Sequence, residues 1–136
     1  MSLRTPAPKV VGVPADLWSA AGMENFAPGA SSYRPLIDFD GQPVLTVPIS
    51  EVRPPMRNPG IEELVRPRAL RILAGFLQDQ PIPPIDVADQ PFGRFRYRVC
   101  NGFHRYHLSL VAGFTHIPVV VQEGWDIFEM TPDRVS

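Results

Sequence analysis

The sequence predicts an α+β domain with two main helices, and three observations carry that prediction. Apolar residues recur at helical spacing between Ile61 and Leu77, where Leu64, Val65, Leu70, Ile72, Leu73, Phe76 and Leu77 fit the pattern. Phe95, Tyr97 and Val99 alternate with Arg94, Arg96 and Arg98, the period of a strand with one buried and one charged face. After Asn101-Gly102, the residues Phe103, Tyr106, His107, Leu110 and Val111 fall on one helical face, and the apolar run from Thr115 to Val121 reads as a closing strand.

The other elements follow in chain order. Residues 1–35 contain Pro6, Pro8, Pro14, Pro28, Gly29, Ser31 and Ser32, so they predict an extended arm, draped over the domain or partly disordered, with a short helical turn from Ala15 to Ala21. Leu36–Phe39 and Pro43–Val47 flank Asp40-Gly41, a turn dipeptide between apolar runs, and predict a β-hairpin. The four prolines between Pro48 and Pro59 exclude a regular helix there and predict an extended crossing loop. Pro67 suits the first turn of the next helix, which must end by Pro81. Pro83–Val87 reads as a short strand, followed by a loop through Asp89, Pro91 and Gly93, and Gly113 sits where a left-handed helix cap belongs. Trp18, Trp125 and Phe128 are the expected anchors of the arm and tail. The expected division is an arm over 1–35 and a single domain over 36–136 with its core in 44–121.

With 136 residues, 44% of them apolar, the chain can bury one core and is too short for two independent ones. It has no apolar run near the roughly 18 residues a membrane helix needs and no signal-peptide pattern, so a soluble cytoplasmic protein without a membrane partner is expected. Cys100 is the single cysteine, which excludes an internal disulfide and a cysteine-rich zinc module. The net charge of −1 gives no general attraction to nucleic acid, yet Arg53 to Arg105 holds nine Arg against five acids. Twelve of the thirteen basic residues are Arg, whose planar fork matches phosphate oxygens. A general preference for Arg would explain that count, but explains the clustering less well.

The unit with most chemical content is strand (Phe95 to Val99), turn (Asn101-Gly102), helix (Phe103 to Ala112), cap (Gly113) and strand (Ile117 to Val121). A helix start presents N–H groups without intrahelical acceptors and the positive end of the helix dipole, so it attracts anions. Gly102 would let a phosphate approach the backbone, with His104 and Arg105 expected exposed in the first turn as side-chain donors. The plain alternative is a helix start whose side chains cap it or pair with nearby carboxylates.

Tyr97-Arg98-Val99-Cys100-Asn101-Gly102-Phe103-His104-Arg105-Tyr106, the stretch Gly113 to Val121, the earlier Val47-Pro48-Ile49-Ser50-Glu51-Val52-Arg53-Pro54-Pro55 and Pro83-Pro84-Ile85-Asp86-Val87 together resemble the ParB/sulfiredoxin superfamily in order and spacing. The resemblance covers roughly Val44 to Val121 and is nearest to the sulfiredoxin branch. It implies a ParB/sulfiredoxin-like fold, a small mixed sheet with two main helices, that binds ATP or another nucleoside triphosphate, with Mg, at the Gly-x-His-Arg helix start. By matching position, Gly102, His104 and Arg105 would meet phosphates beside Asn101, and Arg68 would reach them from the start of the preceding helix. Arg71, one turn on, and Arg53, in the early Arg-Pro element, complete the candidate set. Sulfiredoxins place their catalytic Cys between the Gly and the His-Arg pair, and ParB proteins typically a Glu; this chain has Phe103. A phenyl ring is neither nucleophile nor base, so sulfinic-acid repair by that mechanism is not expected.

Several residues carry competing readings. Glu62 and Glu63 are the nearest acidic candidates for activating a water or hydroxyl in hydrolysis or phosphoryl transfer, and equally suit a helix N-terminus by charge alone. Cys100, His104, His107 and His116 invite a metal reading, but His107 lies on the apolar side and reads as a hydrogen-bonded core histidine. Arg94, Arg96 and Arg98 read as a solvated sheet face, or as a nucleic-acid track with Tyr97. A ParB-like DNA-binding or nuclease module is therefore the rival function, although no helix-turn-helix pattern follows Val121. A catalytically inactive interaction module is the third.

Overall fold

The computed structural model describes residues 13–37, 41–56 and 64–122, in which a five-stranded mixed sheet carries three helices. In chain order these are α1 (Ala15–Ala20), β1 (Leu45–Pro48), a single 3-10 turn (Ile49–Glu51), β2 (Val52–Arg53), α2 (Arg66–Leu77), β3 (Ile85–Phe92), β4 (Phe95–Asn101), α3 (Phe103–Ala112) and β5 (His116–Val121). The sheet order is β1-β5-β3-β4-β2, with β5 parallel to β3, β2 parallel to β4, and the other two pairings antiparallel. The α+β class and the two main helices, of 12 and 10 residues, are as the sequence predicts. No helix among the described residues is long and apolar enough to cross a membrane.

All three helices stop on a residue of positive φ that turns the chain back on itself. Gly22, Asp79 and Gly113 occupy that position, and the next N–H in each case bonds to a carbonyl five residues earlier: Met23 to Trp18 at 3.1 Å, Gln80 to Gly75 at 2.9 Å, Phe114 to Ser109 at 3.2 Å. After the two glycines the chain delivers Met23 and Phe114 straight into the interior. Phe114 joins Phe26, Tyr33 and Phe76 in a cluster of ring contacts. The arm therefore contributes to the core, since Leu17, Met23 and Tyr33 are buried with Ala69, Leu73 and Phe76 of α2 and Tyr106, Leu108 and Ala112 of α3. The strands supply Val47, Val52, Ile85, Val87, Tyr97, Ile117 and Val119.

Three expectations need correction. The run Leu36–Phe39 forms no hairpin strand at Leu36 and Ile37; Leu36 N–H bonds Ile82 O and Ile82 N–H bonds Arg34 O, which commits this backbone to the segment before β3. Asp38, Phe39 and Asp40 lie outside the described residues. The other half of that expectation does become β1, but its partner is β5, with Val47 opposite Ile117. The loop expected from Pro48 contains β2, where Val52 and Arg53 pair with Tyr97 and Arg98, because neither is a proline and both can join a ladder. Asp89, Pro91 and Gly93 are not a loop either: β3 runs on to Phe92 and turns at Gly93, whose φ of 61° favours glycine, into β4. Register shifts between Asp86 and Val87 and between Asp89 and Phe92 let Pro91 sit where no ladder N–H is needed.

Among the described residues one buried side-chain polar atom is unpaired. The Ser109 hydroxyl, within α3, is buried and has no hydrogen-bond partner among the described residues. Ser109→Ala is expected to stabilise the fold by about 1 kcal/mol, because a buried unpaired hydroxyl costs on that order and Ala is the better helix former. A urea unfolding curve with its midpoint shifted downwards would contradict this.

Candidate functional site

The starts of α2 and α3 meet at a cavity of about 270 Å³ lined by Pro55, Met56, Arg68, Ile72 and the continuous run Val99 to Arg105. Neither helix has an acidic residue in its first turn or a side-chain cap, although an acid or a Ser, Thr, Asp or Asn cap is what a helix start ordinarily prefers. Instead α2 opens with Arg66, Pro67 and Arg68, and α3 with Phe103, His104 and Arg105. Arg66 leans away to Asp16 of α1 at 3.3 Å, while Arg68 faces the cavity and is exposed.

Gly102 joins β4 to α3 with φ at 131°, a value L side chains rarely adopt. The sequence expectation gives this glycine the task of making room for a phosphate. In the structure its missing side chain makes room for Ile85 of β3: a Cβ at 102 would lie 2.5 Å from Ile85 Cγ2. The chain can thus pass tightly over β3 and begin α3 at the cavity floor.

His104 and Arg105 are neighbours in sequence but point to different places. The expectation that both stand exposed fails for His104, which is only 3% exposed, with Nε2 accepting the Val65 N–H at 2.8 Å. Arg105 is half-buried and Nη1 donates to the Pro83 carbonyl at 3.0 Å and the Pro84 carbonyl at 2.6 Å. Burial lowers its pKa from the ordinary Arg value; Tyr33 and Asp86 oppose that shift, and Arg68 adds to it by repulsion. Two like charges thus approach one another at the cavity. The Tyr33 hydroxyl also donates to Pro83 O, at 3.1 Å, and burial pushes this phenol far above its ordinary pKa.

The rest of the wall is held from behind. His107 is fully buried and its Nε2 donates to Pro55 O at 3.0 Å, so it is the hydrogen-bonded core histidine that the sequence predicts. The Tyr106 hydroxyl donates to Val52 O at 3.3 Å, and burial has its pKa pushed up to about 12. Phe103 packs its ring against those of His104 and His107, at centroid distances of 5.8 and 4.6 Å. Cys100 is half-buried in the wall; burial raises its pKa, with Arg98 opposing and Asp86 assisting, so it stands as a thiol at neutral pH.

Of the sequence candidates, the structure brings together Arg68, Asn101, Gly102, His104 and Arg105. Arg71 lies on α2 outside the lining, exposed. Arg53 is also outside it: its guanidinium stacks 4.2 Å from the Phe92 ring centroid, and it lines a second cavity of about 240 Å³ with Pro54, Pro55, Met56, Arg98 and Val99. The two cavities share Pro55, Met56 and Val99. Glu62 and Glu63 lie outside the described residues. Sequence reading did not single out Ile72 and Met56; Ile72 had a signal, being four residues beyond Arg68 on one helix face, whereas Met56 had none. Among the described residues no three His, Cys, Asp or Glu side chains form a group able to hold a metal. Arg96 and Arg98 are engaged elsewhere, Arg96 with Asp89 at 3.3 Å and Arg98 with Gln90 at 2.7 Å, and the Arg94 and Arg96 guanidiniums lie over the Phe95 and Tyr97 rings. No protein-family model matches the chain, and no curated protein matches it.

Proposed function

We propose that the chain is a ParB/sulfiredoxin-like domain that binds ATP or another nucleoside triphosphate, with the phosphates in the cavity between the starts of α2 and α3. One observation carries this reading: two helix starts, each lacking acid and cap, converge on one cavity into which Arg68 and Arg105 bring like charges. Such an arrangement is unfavourable for the empty protein and becomes favourable when an anion enters. The guanidiniums and the Asn101 amide contact phosphate oxygens, and the polyphosphate fills the 270 Å³ space. The nucleoside extends along Pro55 and Met56 towards the second cavity and Arg53, which gives Met56, 69% exposed, an apolar surface to cover. Mg would travel with the nucleotide, coordinated by phosphate oxygens and water, since no carboxylate is among the described lining residues.

Binding, rather than chemistry, is what the described wall supports. Phe103 replaces any nucleophile, and Cys100 is held as a thiol. Hydrolysis or phosphoryl transfer would call on Glu62 or Glu63.

Calorimetric titration with ATP tests the proposal. ATP and inorganic pyrophosphate are expected to compete, and Arg105→Ala to weaken both by about tenfold or more, the worth of a charge-assisted hydrogen bond. The same substitution is expected to cost about 1 kcal/mol of stability, because the Pro84 carbonyl loses its donor. Absence of heat at millimolar ATP would leave an interaction module as the surviving reading. Oligonucleotide binding that pyrophosphate does not displace, and that weakens steeply between about 50 and 200 mM salt, would favour the DNA-binding rival.

A further inference from the structure

His104 occupies the second position of α3, where a donor to a bound phosphate is expected, but its geometry assigns it another task. A backbone N–H can only donate, so the 2.8 Å contact from Val65 means that Nε2 carries a lone pair and the ring proton sits on Nδ1. Val65 is the N-cap of α2. At many helix starts the N-cap N–H is satisfied by a Glu or Gln three residues on, whose side chain folds back to accept it. Here the residue three positions on is Arg68, which has donors only. The acceptor comes instead from the neighbouring helix.

We propose that His104 is a positioning residue that fixes the start of α2, and with it Arg68, against the Gly102–Arg105 turn, and is not itself a phosphate ligand; this rests on the reading of the cavity as a phosphate site. The contact is one of several by which α3 secures the walls. His107 holds the Pro54–Met56 side through Pro55 O, and Arg105 holds the lead into β3 through the Pro83 and Pro84 carbonyls. His104 secures the third wall, the one that carries Arg68. Placing Arg at the position of the usual Glu gives up a local cap but frees a cation for the cavity, and the histidine from α3 restores the lost acceptor.

The test combines amide exchange at Val65, nitrogen chemical shifts of the His104 ring, and inorganic pyrophosphate as the probe. In the wild type, pyrophosphate saturation is expected to leave Nε2 as an unprotonated acceptor and the Val65 amide protected. His104→Leu is expected to speed Val65 exchange at least tenfold and to weaken pyrophosphate by a similar factor. His104→Gln, whose side-chain carbonyl can accept the same N–H, is expected to recover most of both effects, and it keeps the test decisive should the Leu variant not fold. A pyrophosphate-induced switch of Nε2 to a donor with loss of Val65 protection would overturn the proposal and make His104 a ligand. Unchanged Val65 protection in both variants would overturn it as well. Wild type that binds no pyrophosphate, with Val65 protection still lost in His104→Leu, would remove the phosphate reading and leave His104 as a structural contact only.

Discussion

Gly102→Ala is expected to destabilise the domain by about 3 kcal/mol, lowering the thermal midpoint by roughly 10 °C. Two costs add at this position. The backbone φ of 131° is one that an L residue reaches only with strain, on the order of 1–2 kcal/mol. The new methyl would also sit 2.5 Å from Ile85 Cγ2 and 2.7 Å from Ile85 Cβ. Ile85 is fully buried in the middle of the sheet, at β3, paired with Val119 of β5, so it cannot swing aside cheaply. Overpacking of this kind costs a further 1–3 kcal/mol. Paired with Ile85→Val, which retains Cγ2, the loss should be nearly additive; paired with Ile85→Ala, which removes it, the loss should be clearly less than additive. Denaturant melts of the two double-mutant cycles measure this, and equal coupling in both would show that the contact with Cγ2 does not set the cost. Because α3 begins at this residue, the same substitution should shift the Phe103–Arg105 turn and weaken nucleotide binding even in the molecules that remain folded.

How much of this was legible in the sequence depends on how local each cause is. The limits of α3 follow from neighbours in the chain: Asn101-Gly102 break the strand, the apolar spacing runs from Phe103, and Gly113 supplies the left-handed cap. No distant partner is needed for that reading. The long β3 was hidden because Pro91 and Gly93 look like loop residues, and only the pairing with β4, with its register shifts, makes a strand of them. The hairpin at Asp40-Gly41 misled in the opposite way, since Pro43–Val47 has the right alternation for a strand but finds its partner some seventy residues later, in β5.

The site divides along the same line. That Arg68 and Gly102 would meet rests on the resemblance, and the structure places both at one cavity. The burial of His104, by contrast, could have been derived from spacing. His104 and His107 are three apart and share a helix face, and the argument that puts His107 in the core puts His104 there too; adjacency to Arg105 in the sequence suggested a common direction that a rotation of 100° per residue forbids. The contacts that secure the walls, from Val65, Pro55, Pro83 and Pro84, involve backbone atoms, which leave no trace in residue type.

Arg68→Glu is expected to abolish ATP binding, by 100-fold or more, while leaving the thermal midpoint unchanged or a few degrees higher. The two effects share one cause. At the third position of α2, a cation faces the positive end of the helix dipole and the nearby Arg105, with no acid in the first turn to offset either. A carboxylate there reverses both interactions, a gain on the order of 0.3–1 kcal/mol. Little packing is lost, because Arg68 is exposed and its neighbours Ala69 and Leu73 carry the burial of that helix. For a polyphosphate the change is adverse twice over, since a charge-assisted hydrogen bond worth about 1.5–3 kcal/mol disappears and a like charge replaces it. Arg68→Ala should lie between, with about tenfold weaker binding and little change in stability. An Arg whose exchange for Glu leaves the empty fold no less stable is placed for something the empty fold does not contain. Calorimetry and thermal melts on the same three proteins measure both quantities; a Glu variant that binds ATP like the wild type, or one that loses more than about 1 kcal/mol, would remove Arg68 from the phosphate site.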